Sequence, residues 1–177
     1  MSTRIRLFSP ILVAALFAIP ALAQQEPQKD GAGIIVSGKA SSSDVGLPFY
    51  PGSTPHKDDS DSQAARLGLW GGGSGFKLAV VKMDSADSPE KVAAFYKKAL
   101  AKYGKVLDCT HASATSGASA NKKDSSTLTC GDDKPDPGGL LFKAGSKEKQ
   151  HIVSVKPNGS GSSYDLVALG NWSSDKH

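Results

Sequence analysis

The sequence predicts an α+β fold, a mainly antiparallel sheet with one amphipathic helix (about residues 88–103) packed on one face. One segment carries helical apolar spacing with its own start and stop signals. Six or seven short runs have strand character, and the links between them are of hairpin length, which favours an antiparallel sheet.

The N-terminus reads as an export signal. Arg4 and Arg6 precede an apolar run at residues 7–18, broken only by Ser9 and Pro10, and Pro20 stands before Ala21-Leu22-Ala23. Small residues at Ala21 and Ala23 form an A-x-A site, so cleavage is expected between Ala23 and Gln24. The run is shorter than the ~20 residues that span a bilayer. There is no Arg-Arg pair for the twin-arginine route, and position 24 is glutamine, with no thiol to take a lipid. Residues 1–23 are therefore expected to leave a non-lipidated chain with no membrane span, periplasmic or secreted.

Processing changes the charge. The full chain has 21 Lys+Arg against 17 Asp+Glu; without Arg4 and Arg6 the balance is 19 to 17, a net +2 over 154 residues. Nucleic-acid binders carry a basic stripe or a strongly basic domain. Neither is present, so no nucleic-acid partner is expected.

Residues 24–46 are expected to be a flexible leader with one short strand. Gln24–Gly33 is polar, Ile34-Ile35-Val36 is β-prone, and residues 39–44 are Ser-rich. A single domain then covers residues 47–170. Leu47-Pro48-Phe49-Tyr50-Pro51-Gly52 cannot be a central strand because proline cannot donate to a ladder; it predicts an ordered turn whose Phe49 and Tyr50 dock on the core. Residues 56–63 form a charged loop. Residues 66–70 and 76–83 predict two strands joined across Gly71–Gly75. In the second, Phe76, Leu78 and Val80 alternate with polar or small residues, and the alternation slips at Val81.

The helix is specified at every level. Ser88 suits the N-cap, Pro89 the first helical position, and Glu90 the positive end of the dipole. Val92, Phe95, Tyr96, Ala99, Leu100 and Tyr103 fall on one face; Lys97, Lys98 and Lys102 crowd the last turns before Gly104. Residues 105–110 and 125–130 predict paired strands around a low-complexity loop. Residues 140–144 predict a short strand, and residues 151–156 and 164–169 a last hairpin. A disordered tail is expected at 171–177.

Tyr50-Pro51-Gly52, the run from Asp87 through Ser88-Pro89-Glu90-Lys91-Val92 to Phe95-Tyr96, and Lys147 to Val153 together resemble a group of uncharacterised bacterial exported proteins. Those proteins share a YPG turn, a DSPEKV..FY helix and a C-terminal hairpin. The resemblance spans residues 47–169; it implies the fold and a bacterial source, and carries no activity.

Chemistry-bearing motifs are few. Cys109 and Cys130 are the only cysteines, and an even, isolated pair in an exported chain reads as a disulfide. The alternative is a metal site with His111 and His151, which lacks any close CxxC spacing. Gly71-Gly72-Gly73-Ser74-Gly75-Phe76-Lys77 lacks the GKS or GKT of a P-loop. Asp58-Asp59-Ser60-Asp61 lacks the glycine and glutamate of an EF-hand. The four histidines, His56, His111, His151 and His177, sit in no hydrolase or metalloprotease motif. No catalytic residue, metal ligand or cofactor is assigned. The expectation is a non-catalytic envelope module that binds a protein or small ligand; the alternative is a small periplasmic hydrolase assembled only in three dimensions. A histidine and carboxylate in a deep pocket would favour the enzyme, and an exposed apolar groove the binding module.

Overall fold

The computed structural model describes residues 32–56, 64–111 and 127–173. The signal region, the Ala23–Gln24 junction, the Asp58–Asp61 run and His177 lie outside them. The described residues form one antiparallel sheet. Its order is β1 (Gly33–Ser37), β3 (Ala64–Gly71), β4 (Ser74–Ser85), β8 (Gly161–Ser173), β7 (Lys149–Asn158), β6 (Leu140–Gly145) and β5 (Leu107–Asp108). β2 (Thr54–Pro55) pairs with β4 beyond the start of β3. Between β3 and β4 the turn is Gly72-Gly73, with φ of 56° and 78°. Two successive positive φ values match the twist of a two-residue hairpin, and glycine takes them without strain. The turn within the Gly71–Gly75 run is thus Gly72-Gly73 alone, with Gly71 ending β3 and Ser74-Gly75 opening β4.

Helix α2 (Pro89–Leu100), extended by a 3-10 turn at Ala101–Tyr103, lies over β6, β7 and β8. It buries Val92, Ala93, Tyr96 and Leu100 against Phe142, Val153, Val155 and Leu166. Ser88 is extended at φ −66°, ψ 154°, and Pro89 enters at the first turn. Leu100→Ala is expected to cost about 2–5 kcal/mol, the range for emptying a buried leucine site. Phe95 is only half-buried, at the rim beside Tyr50, so its truncation should cost less than that of Leu100. Lys98→Ala, on the exposed side, should shift stability by less than ~0.5 kcal/mol. Denaturant unfolding of the three variants checks the order.

Several expectations change. The core face of β4 is Ala79, Val81 and Met83; Phe76, Leu78 and Val80 point to the other side of the sheet. Both sets are apolar, so alternation alone does not say which one the helix covers. Phe49 is 38% exposed and does not dock. The partner of Leu107–Asp108 is β6, through Leu107 opposite Lys143, and residues 127–130 form no strand. A short helix, α1 (Ser42–Val45), lies in the stretch read as leader, and Val45 and Leu47 are fully buried. At the other end β8 runs to Ser173, pairing with Ser74, inside the stretch read as tail.

Candidate functional site

Side chains alternate across a strand, so each strand divides its residues between the helix-covered face and the opposite one. On that opposite face, Leu67 lies beside Leu78 and Leu69 beside Phe76. Leu78 in turn faces Leu169, and Val80 faces Val167, which pairs with Ile152. At the edge, Ile34 pairs with Leu69 and Val36 with Leu67. The result is an apolar stripe running across β1, β3, β4, β8 and β7, roughly 20 Å wide at the usual strand spacing. Helices α1 and α2 both sit on the other side of the sheet.

The stripe ends at a strand edge with no pairing partner among the described residues. β1 is Gly-Ile-Ile-Val-Ser, with no charge or proline; Ile34 is 70% and Val36 77% exposed. Strand edges are ordinarily guarded by lysine, proline or a bulge because their free N–H and C=O groups template further pairing. β1 has none of these guards. The Trp70 ring lies against the Gly33 backbone, where a Cβ would collide unless the ring moved.

At the opposite end the same face is covered. Cys109 and Cys130 are joined, with Cα atoms 5.5 Å apart, within the span a bridge needs. The bridge ties residues 127–139 over β6. Beneath this loop Leu141 is buried, and buried Lys143 pairs with Asp133 and donates to the Thr129 carbonyl at 3.4 Å. Lys156 meets Asp136 at 2.9 Å. His111 is exposed, and no group of three metal-binding side chains occurs among the described residues.

His56 acquires a partner that its sequence position does not suggest. β2 delivers it to β4, where Nδ1 lies 2.8 Å from Asp84 Oδ1. The carboxylate fixes Nδ1 as the proton-bearing nitrogen and leaves Nε2 as an acceptor. Asp84 also accepts from the Asn158 amide at 3.1 Å. Neighbouring Asp165 is pushed above the ordinary carboxylate range by burial, opposed by Lys82 and Lys156. No hydroxyl or thiol among the described residues bonds to His56, so the pair has an oriented base and no nucleophile attached to it. His151 lies apart from it, stacked on Tyr103 at 3.5 Å with Nδ1 donating to the Val45 carbonyl at 3.0 Å.

The apolar alternation of residues 67–80 held the signal for the open face, but that alternation equally fits a core face. The His56–Asp84 pairing, across 28 residues, left no local trace. No protein-family model, curated protein or solved structure matches the chain.

Proposed function

We propose that this chain is an exported, non-catalytic domain that binds a protein partner through the open face of its sheet and the adjoining β1 edge. The observation that carries the reading is the uncovered apolar stripe ending at Ile34 and Val36. The processed chain has little of its own to cover it. Residues 24–31, 57–63, 112–126 and 174–177 contain no Val, Ile, Leu, Met or aromatic residue. Large apolar surface left in water is a standing cost, and patches rimmed by polar residues mark interaction sites. The edge narrows the partner's chemistry, because a row of strand N–H and C=O groups is a template that another extended peptide backbone matches in register. The disulfide fits an oxidising compartment, and no helix among the described residues is long and apolar enough to cross a membrane.

A photo-crosslinking residue at Leu69 should give an adduct with one distinct protein in cells that export the chain. Val36→Lys, at an exposed position, should abolish the adduct without changing the melting temperature. A crosslinker at Lys98, on the outer side of α2, should give none. Adducts only with the chain itself would make the face a self-interface, and absence of any adduct would overturn the reading. The hydrolase alternative rests on the His56–Asp84 pair alone; hydrolytic activity abolished by His56→Ala would favour it.

A further inference from the structure

The helix-covered face of the sheet holds a second feature, beyond the C-terminal end of α2. Register places Lys77 of β4 and Lys149 of β7 on either side of the same residue, Gly170 of β8. All three share the helix side of the sheet, in line with the buried Ala79, Val153 and Ala168. The two lysine Cα atoms are therefore about two strand spacings, roughly 10 Å, apart. Between them Gly170 leaves open space where any side chain would stand. One row deeper, Ala168 pairs with both Ala79 and His151, so the floor stays shallow. Ser43, Asp44 and Gly46 of the α1 segment, Asn171 and the His151 ring complete a cleft of about 330 Å³, at the small end of ligand sites.

The charges in this cleft do not cancel. Neither Lys77 nor Lys149 has an acidic partner among the described residues, although Lys91 and Lys97 of α2 and Lys143 and Lys156 of the sheet are each paired with an aspartate. Asp44, the one carboxylate present, is already committed. It pairs with Arg66 at 2.9 Å and accepts from the Ser41 N–H at 2.9 Å and the Ser41 hydroxyl at 2.8 Å. Those Ser41 bonds first, and Arg66 after them, hold its carboxyl down to about 2. Burial, opposed by the bond to the Val45 carbonyl and aided by Lys102, holds the His151 imidazole below its ordinary pKa. With Nδ1–H donating to the Val45 carbonyl, its Nε2 is left as a neutral acceptor. Two unpaired lysines flanking a glycine notch leave this part of the cleft with a net positive charge.

We infer that this cleft binds the dianionic phosphate group of a small solute. Lys77 and Lys149 close on its oxygens from opposite sides of Gly170, and His151 accepts a hydrogen bond from a hydroxyl on the rest of the solute, or from the single P–OH of inorganic hydrogen phosphate. A lysine ammonium acts as a point charge with rotatable donors, which suits a tetrahedral oxyanion approached from two sides. The cleft lies on the face opposite the proposed protein interface and does not depend on that reading.

The test titrates the intact processed protein with inorganic phosphate at constant ionic strength and follows binding by calorimetry and melting temperature. Saturable binding is expected, weakened at least tenfold by K77M/K149M and unchanged by K98M. Both lysines are exposed, so the double variant should fold with its unliganded melting temperature intact. G170V, which fills the notch and keeps both charges, should also weaken binding, whereas a purely diffuse charge effect would leave it unaltered. Succinate in place of phosphate separates a tetrahedral group from a pair of carboxylates. Saturation by succinate alone, equal binding by wild type and K77M/K149M, or no saturable binding would each overturn the inference.

Discussion

Tyr164→Ala is expected to cost about 3–5 kcal/mol, the range for removing a large aromatic from a core. Tyr164 is 1% exposed and its ring meets Tyr96 at 5.2 Å. Its hydroxyl also holds a turn: it accepts from the Tyr50 N–H at 3.2 Å and lies 2.7 Å from Ser53 Oγ. Tyr50 reaches the helix entrance, donating to Asp87 at 2.8 Å and placing its ring edge-on to Phe95 at 5.2 Å. Tyr96 closes the set by donating to the Pro48 carbonyl at 3.1 Å. Tyr164→Phe keeps the packing and removes one oxygen, so it should cost about 1–2 kcal/mol, the penalty for buried hydrogen bonds left unmade. Chemical denaturation measures both. A loss below about 1 kcal/mol for Tyr164→Ala would mean that the aromatic cluster is not the joint between turn, helix and sheet.

That joint gives the YPG turn and the DSPEKV..FY helix a physical meaning. Tyr50 and Asp87 are 37 residues apart in sequence and share a hydrogen bond. The turn segment lies over the helix N-terminus, and Tyr164 from the last strand pins it there. Tyr50, Asp87, Phe95 and Tyr96 are parts of one scaffold contact.

The helix was legible because its information is local. Ser88, Pro89, Glu90, the apolar face and Gly104 all act within one or two turns of where they stand. The hairpins were legible for the same reason, since Gly72-Gly73 and Gly159 select their turns by φ. What failed depends on contacts distant in sequence. Phe76, Leu78 and Val80 are as apolar as Ala79, Val81 and Met83, and only α2 decides which set is core; the slip at Val81 was the sole trace. Leu107–Asp108 pairs with β6 because β6 already stands at the edge of the β7–β8 hairpin. The row Lys77–Gly170–Lys149 joins three strands by register, and no single segment carries it.

Loss of the Cys109–Cys130 bridge is expected to lower stability by about 2–3 kcal/mol, a fall of roughly 5–10 °C in melting temperature for a chain of this size. The bridge spans 21 positions, and the segment 112–126 within it is Ala, Ser, Thr, Gly, Asn, Lys and Asp, with nothing large and apolar to hold the loop closed. Part of the effect is therefore chain entropy of the unfolded state. The native side matters too. Cys109 is fully buried and its N–H donates to the Leu141 carbonyl at 2.8 Å, so the bridge anchors residues 127–139 at the β5–β6 edge. Beneath that loop Lys143 is 5% exposed with Asp133 as its ionic partner. Freeing the loop separates that pair and lets water reach Lys143, so a cation that was buried and paired becomes solvated instead of stranded, which keeps the loss moderate. Protein purified without reductant from the periplasm or the medium of an exporting host should thus resist thiol labelling under denaturing conditions until reductant is added. C109A/C130A should melt at the lower temperature without reductant, with faster amide exchange confined to β5, β6 and the loop. Two thiols labelled without reductant, or a double variant as stable as the parent, would remove the bridge from the account of this fold.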